Sequence, residues 1–212
     1  MRALNRSSET PITGNQAPLK ALGGAIVRMF TWFSATRTNY WLEFPVDMAL
    51  ILVLGYEGWH LVHGDLLMVF AAAGLGLAIY SFLEYLFHRW LFHKGPAWFS
   101  NGHNQHHENP LGYDSLPFFL PALVSLGLAR LYMLVMPTGF ALLVAGTVTF
   151  GYVVYGLGHF AIHHVRFKQR FLKRWAAAHH IHHHHPDRNF GVTTPIWDIL
   201  LGTRYVQRGR PA

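Results

Sequence analysis

Not one cysteine occurs in the 212 residues, which excludes disulfide frameworks, thiolate metal sites and structural zinc fingers, and leaves only nitrogen and oxygen donors for any metal. Charge is scarce too: charged residues make up 13% of the chain, with only 10 Asp and Glu, against 51% hydrophobic and 15% aromatic residues. That balance is too apolar for an ordinary soluble domain of one-domain length and points to a membrane protein. The net charge of +7 does not redirect the reading to nucleic acid, because the basic residues are scattered around apolar runs and form no aromatic-interleaved stripe. Anionic lipid headgroups are the expected counter-charge. Residues 1–18 lack the apolar core of a secretory signal and read as a disordered cytoplasmic tail.

Apolar runs give the expected architecture. Residues 19–33 mix Lys20 and Arg28 with apolar and aromatic side chains, as in a helix lying in the headgroup layer. Four stretches, 44–62, 66–87, 116–136 and 138–160, each approach the roughly 20 residues that a membrane-crossing helix needs. The first is interrupted by Asp47 and Glu57. Short turns around His63-Gly64-Asp65 and Pro137 pair the stretches into two helical hairpins, so the segments after the second and fourth stretches emerge on one face. Five Lys and Arg precede residue 44, two lie between 88 and 115, nine come after 160 and none falls in the outer turns, which makes that face cytoplasmic. The expectation is an all-α integral membrane protein with a polar segment 1–43, and a membrane-embedded domain 44–212 under a cytoplasmic helical cap.

What the chain has in excess is histidine. Fourteen of its 16 histidines fall in four clusters, HRWLFH at 88–93, HNQHH at 103–107, HFAIHH at 159–164 and AHHIHHHH at 178–185, all on that one face. Imidazole is the commonest protein metal ligand. His103, His106 and His107 stand at i, i+3, i+4, as do His180, His183 and His184, while His159 and His163 stand at i, i+4, spacings that share one helix face. His179, His182 and His183 repeat the same spacing, so two registers are open in the last cluster. His88 and His93, at i, i+5, lie about 140° apart on an ideal helix, which requires the helix to loosen near Leu91 or the pair to serve different ions. Ten histidines in ligand spacing exceed what one ion takes, so two metals are expected. His60 and His63 stand alone and read as interfacial residues. A ligating histidine normally donates its other N–H to a carboxylate or carbonyl, and Glu84, Asp114, Asp187 and Asp198 are the acidic candidates. Imidazole alone does not choose iron over zinc.

The segments YSFLEYLFHRWLFH, HNQHH, GYVVYGLGHFAIHH and AHHIHHHH followed by FGVTTPIWDILLGT resemble the fatty acid hydroxylase superfamily of integral membrane di-iron enzymes, and most closely its fatty acid (sphingolipid) 2-hydroxylases. The resemblance covers about residues 66–203. It implies a ligand series of His88 and His93; His103, His106 and His107; His159 and His163; and His180, His183 and His184, the last chosen because the family usually has an apolar residue where Ile181 stands. His179 and His182 are then the alternative register, and His164 and His185 are left without a role. The resemblance further implies two iron ions, with zinc as a substitute in purified protein, O2 as co-substrate and hydroxylation of a lipid C–H bond in an acyl chain lying between the helices. Nothing in residues 1–43 resembles the haem domain that some relatives carry, so a separate electron donor, a cytochrome or ferredoxin, is expected. The basic run 166–174 and Arg204, Arg208 and Arg210 could dock it, or could equally anchor the chain to anionic lipid.

Other readings compete. A sterol desaturase or carotenoid hydroxylase shares the histidine series. A histidine-rich metal transporter or storage protein would need polar residues at mid-membrane, where VFAAAGLGLAIY and ALLVAGTVTF are apolar.

Overall fold

In the computed structural model, residues 34–113 and 115–206 are described. The expected tail, the headgroup-layer helix at 19–33, Asp114, Arg208 and Arg210 lie outside them. Every regular element among the described residues is helical: α1 (Arg37–Leu61), α2 (Leu66–Leu86) running into a π-helical turn (Phe87–Phe92), α3 (Ala97–Glu108), α4 (Leu120–Tyr132), α5 (Thr138–His164), α6 (Arg170–His184) and α7 (Ile196–Leu200).

Local chemistry sets the ends. The Thr36 side chain accepts from Asn39 N at the start of α1, and the Asp65 carboxylate accepts from Leu67 N (2.9 Å) and Met68 N (3.2 Å) at the start of α2, satisfying amides that have no partner within the helix. Between them His63 and Gly64 take left-handed backbone (φ 53° and 68°), which turns the chain back within four residues. Pro137 stops the chain after α4 and caps α5.

The central helix is α5, against which α1, α2 and α4 all pack. It presents small side chains there: Ala141, Val144, Ala145 and Val148 are buried. At Gly151 an added Cβ would collide with the Tyr80 ring of α2, and at Gly76 it would fall 2.6 Å from Thr147 Cβ, so glycine sets how closely α2 approaches α5. Gly76 and Gly151 therefore serve packing, whereas Gly74 of α2 faces open space. Asn39, fully buried, staples α1 to the chain entering α4 by donating to Ser115 Oγ (2.9 Å) and Leu116 O (2.8 Å) and accepting from Phe118 N (2.9 Å).

Among the described residues two helices are long and apolar enough to cross a membrane, Leu66–Phe92 and Thr138–His164. Much of the first is exposed: Leu67 and Phe70 show 77% and 70% of their surface. An apolar helix turned outward cannot be a soluble core helix, and such a surface suits hydrocarbon. α4, at 13 residues, is shorter than the expected third stretch, and α1 starts seven residues before residue 44.

Candidate metal centre

The π-helical turn resolves the i, i+5 problem. A π-turn closes its hydrogen bonds five residues apart, so His88 and His93 come onto one face with rings stacked 5.2 Å apart. The loosening expected near Leu91 is there, and both rings join one group. That first group is His88 and His93 from the π-turn and its end, His103 and His107 from α3, and His182 from α6. The second is His106 from α3, His159 and His163 from α5, and His179 and His183 from α6. Within each group the ligand atoms lie within 4.8 Å of one another.

The nitrogens are too close for neutral rings alone. His88 Nδ1 donates to Phe190 O (2.5 Å) and His182 Nδ1 to Arg188 O (2.7 Å). A carbonyl only accepts, so each neutral ring has its proton on Nδ1 and presents a bare lone pair at Nε2. His88 Nε2 faces His103 Nε2, and His182 Nε2 faces His93 Nε2, both at 3.1 Å. For both contacts to be hydrogen bonds, His103 and His93 would each need a proton on Nε2, yet those two nitrogens are 3.0 Å apart. No proton assignment satisfies the ring of contacts, whereas one cation shared by five lone pairs does. Nitrogens at right angles about 2.1 Å from an ion stand about 3.0 Å apart. In the second group His179 Nε2 lies 2.9, 3.1 and 3.0 Å from the Nε2 atoms of His159, His163 and His183, and His106 Nε2 is buried without a hydrogen-bond partner. Both donor sets fit a metal ion.

Electrostatics prepares the same state. Burial first, and neighbouring imidazoles after it, push His93 down to about 4, His106 and His182 to about 3 and His183 to about 2, with His103 and His179 also far below the ordinary histidine value. Neutral imidazole is the form that binds metal.

The register of the last cluster is not the one that Ile181 suggested. His180 and His184 are exposed and belong to neither group, while His179, His182 and His183 point inward. The cause is the packing of α6: Ala176 is buried with Ile162 and Val192, and Trp175 packs beside it and donates to Val192 O (2.6 Å). Continuing that face by three and four residues gives His179, His182 and His183. The signal lay in the earlier part of the helix, in the run Leu172, Trp175, Ala176. His164 is exposed and stacks on Phe160 (3.8 Å), and His185 stacks on Tyr205 (4.6 Å); neither joins a group.

The four acidic candidates also fall out differently. Glu84 accepts from Val192 N (2.5 Å), Thr193 N (2.9 Å) and the Thr193 hydroxyl. Asp198 accepts from Phe190 N (2.9 Å), Gly191 N (2.8 Å) and Thr203 Oγ1 (2.7 Å). Asp187 is exposed and pairs with Arg188 (3.2 Å). None of these three hydrogen-bonds to a histidine; the partners of the His88 and His182 rings are main-chain carbonyls, which side-chain patterns do not reveal.

The sequence pattern of the family described as "Fatty acid hydroxylase" matches residues 73–203. The chain is 28% identical to the dihydroceramide fatty acyl 2-hydroxylase FAH2 of Arabidopsis thaliana, over 81% of this chain and 76% of that protein. It is 34% identical to the fatty acid 2-hydroxylase of Homo sapiens over 61% of this chain, spanning 38% of the human protein. Among solved structures, the hydroxylase domain of full-length scs7p superposes with a TM-score of 0.69 at 26% identity, covering 82% of this chain and 69% of that one.

Proposed function

This chain belongs to the fatty acid hydroxylase family, and from that premise we propose that it inserts one oxygen atom into a C–H bond of a membrane lipid's acyl chain, using two iron ions, O2 and an external electron donor. The observation that carries the reading is the convergence of ten histidines from four elements into two five-nitrogen cradles, the first of which no tautomer set satisfies without a cation. The plant and human relatives are 2-hydroxylases of fatty acyl groups, which favours this over sterol desaturation or carotenoid hydroxylation. The proposed ligands are His88, His93, His103, His107 and His182 for one ion, and His106, His159, His163, His179 and His183 for the other.

In the balanced reaction, C–H, O2, two electrons and two protons give C–OH and water, and metals held by these histidines would supply the redox chemistry that an unactivated C–H bond requires. The side chains hold the metals, exclude water and place the lipid. Burial of His88, His106, His179 and His182 keeps bulk water away from the two groups. An apolar groove of about 370 Å³ runs between α2 and α5 below the histidines, with Ala78, Phe150 and Val154 on its walls and Ser81 and Thr194 at its polar edge. We assign it to the acyl chain, because the same two helices lead up to His88 and His159. In this reading α1, α2 and α5 each make a membrane pass, the 13-residue α4 makes the fourth together with its flanking residues 116–119 and 133–136, and the metals lie at the cytoplasmic side. The exposed Arg166, Lys168, Arg170, Lys173 and Arg174 beside them form the docking face for a separate cytochrome or ferredoxin.

The test is mass spectrometry of host lipids with and without the gene, together with metal analysis of detergent-purified protein. A lipid heavier by one oxygen, hydroxylated on its acyl chain, with two metal ions per chain, is expected. An unchanged lipid profile with O2, reductant and metal all supplied would refute the reading.

A further inference from the structure

The two cradles are built from the same side chain but are not held alike. In the first, two rings are tied through Nδ1 to carbonyls of one short loop, at Arg188 and Phe190. Asn189 between them is in left-handed backbone (φ 54°) and is fixed by Ala178 O (3.0 Å), Thr203 O (3.0 Å) and Tyr205 N (2.8 Å). Asp198, 1% exposed, clamps the loop by accepting from Phe190 N, Gly191 N and Thr203 Oγ1, and Thr203 Oγ1 in turn meets the Tyr85 hydroxyl at 3.1 Å. In the second cradle, among the described residues, no ring nitrogen is bonded to a main-chain carbonyl or a carboxylate, and His179 Nδ1 is buried with no partner.

An anchored ring has less freedom to lose when metal binds, and its tautomer is already the binding one; partners of this kind change metal affinity by about 10 to 100-fold. We propose that the two metal sites are unequal, the first pre-set and tight and the second loose and exchangeable, and that Asp198 is the positioning residue that makes the difference through the 188–191 loop. The proposal rests on the two-metal reading. It implies an order of assembly, with the first cradle filling before the second, and it locates metal loss in the His106, His159, His163, His179 and His183 group.

Stripped full-length protein in detergent would be titrated with Zn2+ against a competing chelator, with bound metal measured directly and helicity by circular dichroism. Wild type should bind two ions in two phases separated by at least about ten-fold. His163→Ala should abolish the weak phase and keep the tight one. Asp198→Asn, which keeps the shape but loses one of two acceptor oxygens, should weaken the tight phase by about 10 to 100-fold and leave the weak phase in place. Two ions bound with a single affinity, or both phases weakened equally by Asp198→Asn, would overturn the proposal while leaving the two-metal reading intact. Fewer than two ions on wild type would overturn that reading instead. If Asp198→Asn loses its helicity, Thr203→Val, which removes one bond to Asp198 together with the Tyr85 contact, decides: a smaller weakening confined to the tight phase supports the proposal, and no change or an equal change in both phases refutes it.

Discussion

Set side by side, the two histidine groups share more than they divide. α3 gives His103 and His107 to one and His106 to the other, and α6 gives His182 to one and His179 and His183 to the other. The π-turn serves only the first group and α5 only the second. The helices that bridge the groups fix the spacing between them, while the private elements shape each group separately. The difference teaches that one ligand chemistry can build two unlike sites, because what lies behind each ring decides how firmly it is held.

The largest expected effect comes from removing a ligand carried by a bridging helix. His103 Nε2 meets three other ring nitrogens, those of His88, His93 and His107. His103→Ala should abolish lipid hydroxylation and lower metal content, read by elemental analysis; retention of two ions with full activity would remove it from the ligand set. Next comes the register of α6. His179→Ala should lose metal from the second group, while His184→Ala should keep two ions and full activity. The opposite pattern would restore the register that Ile181 suggested.

How far that register was legible shows where sequence reasoning stops. Spacing identified the histidine clusters, and the mismatch of His88 with His93 foretold the loosened helix that became a π-turn. Two equivalent i, i+3, i+4 sets in one run carry no internal preference, however, and only the packing of Ala176 and Trp175 on Ile162 and Val192 rotates α6 to one of them. Glu84 and Asp198 were visible as carboxylates near the site, but their role is to hold a loop whose carbonyls meet the rings, and a carbonyl acceptor is common to every residue type. The apolar stretches 66–87 and 138–160 became the two long apolar helices directly, since exposed apolar surface is written in composition, whereas 116–136 holds only the 13-residue α4.

A smaller effect is expected in the groove. Val154→Trp should fill space between α2 and α5 and cut hydroxylation of long acyl chains by about ten-fold or more, with two metal ions retained. An unchanged chain-length profile would move the acyl chain elsewhere.

The pH dependence comes from the depressed histidines. Their folded values, about 4 for His93 and about 3 for His106 and His182, lie below the unfolded value of about 6.5. Below pH 6.5 the unfolded chain therefore binds protons that the folded chain refuses, and stability falls as pH drops toward 3. Denaturation of metal-free protein should show a lower midpoint at pH 5.5 than at pH 7.5; an equal or higher one would mean that these rings are not held neutral. Bound metal should also leave more readily in acid, since protons compete for the same nitrogens. The smallest effect belongs to His164→Ala and His185→Ala, exposed and outside both groups, which should alter stability by no more than about 0.5 kcal/mol and leave metal content unchanged.

The central claim is that the ten-histidine centre puts oxygen from O2 onto a lipid, and isotope tracing tests it most directly. Cells expressing wild type or His103→Ala would be grown under isotopically heavy O2, and their acyl lipids examined by mass spectrometry. A hydroxyl on the acyl chain carrying the heavy oxygen is expected in wild type and none in the variant. A hydroxyl that carries oxygen from water, or one equally abundant in both strains, would contradict the claim.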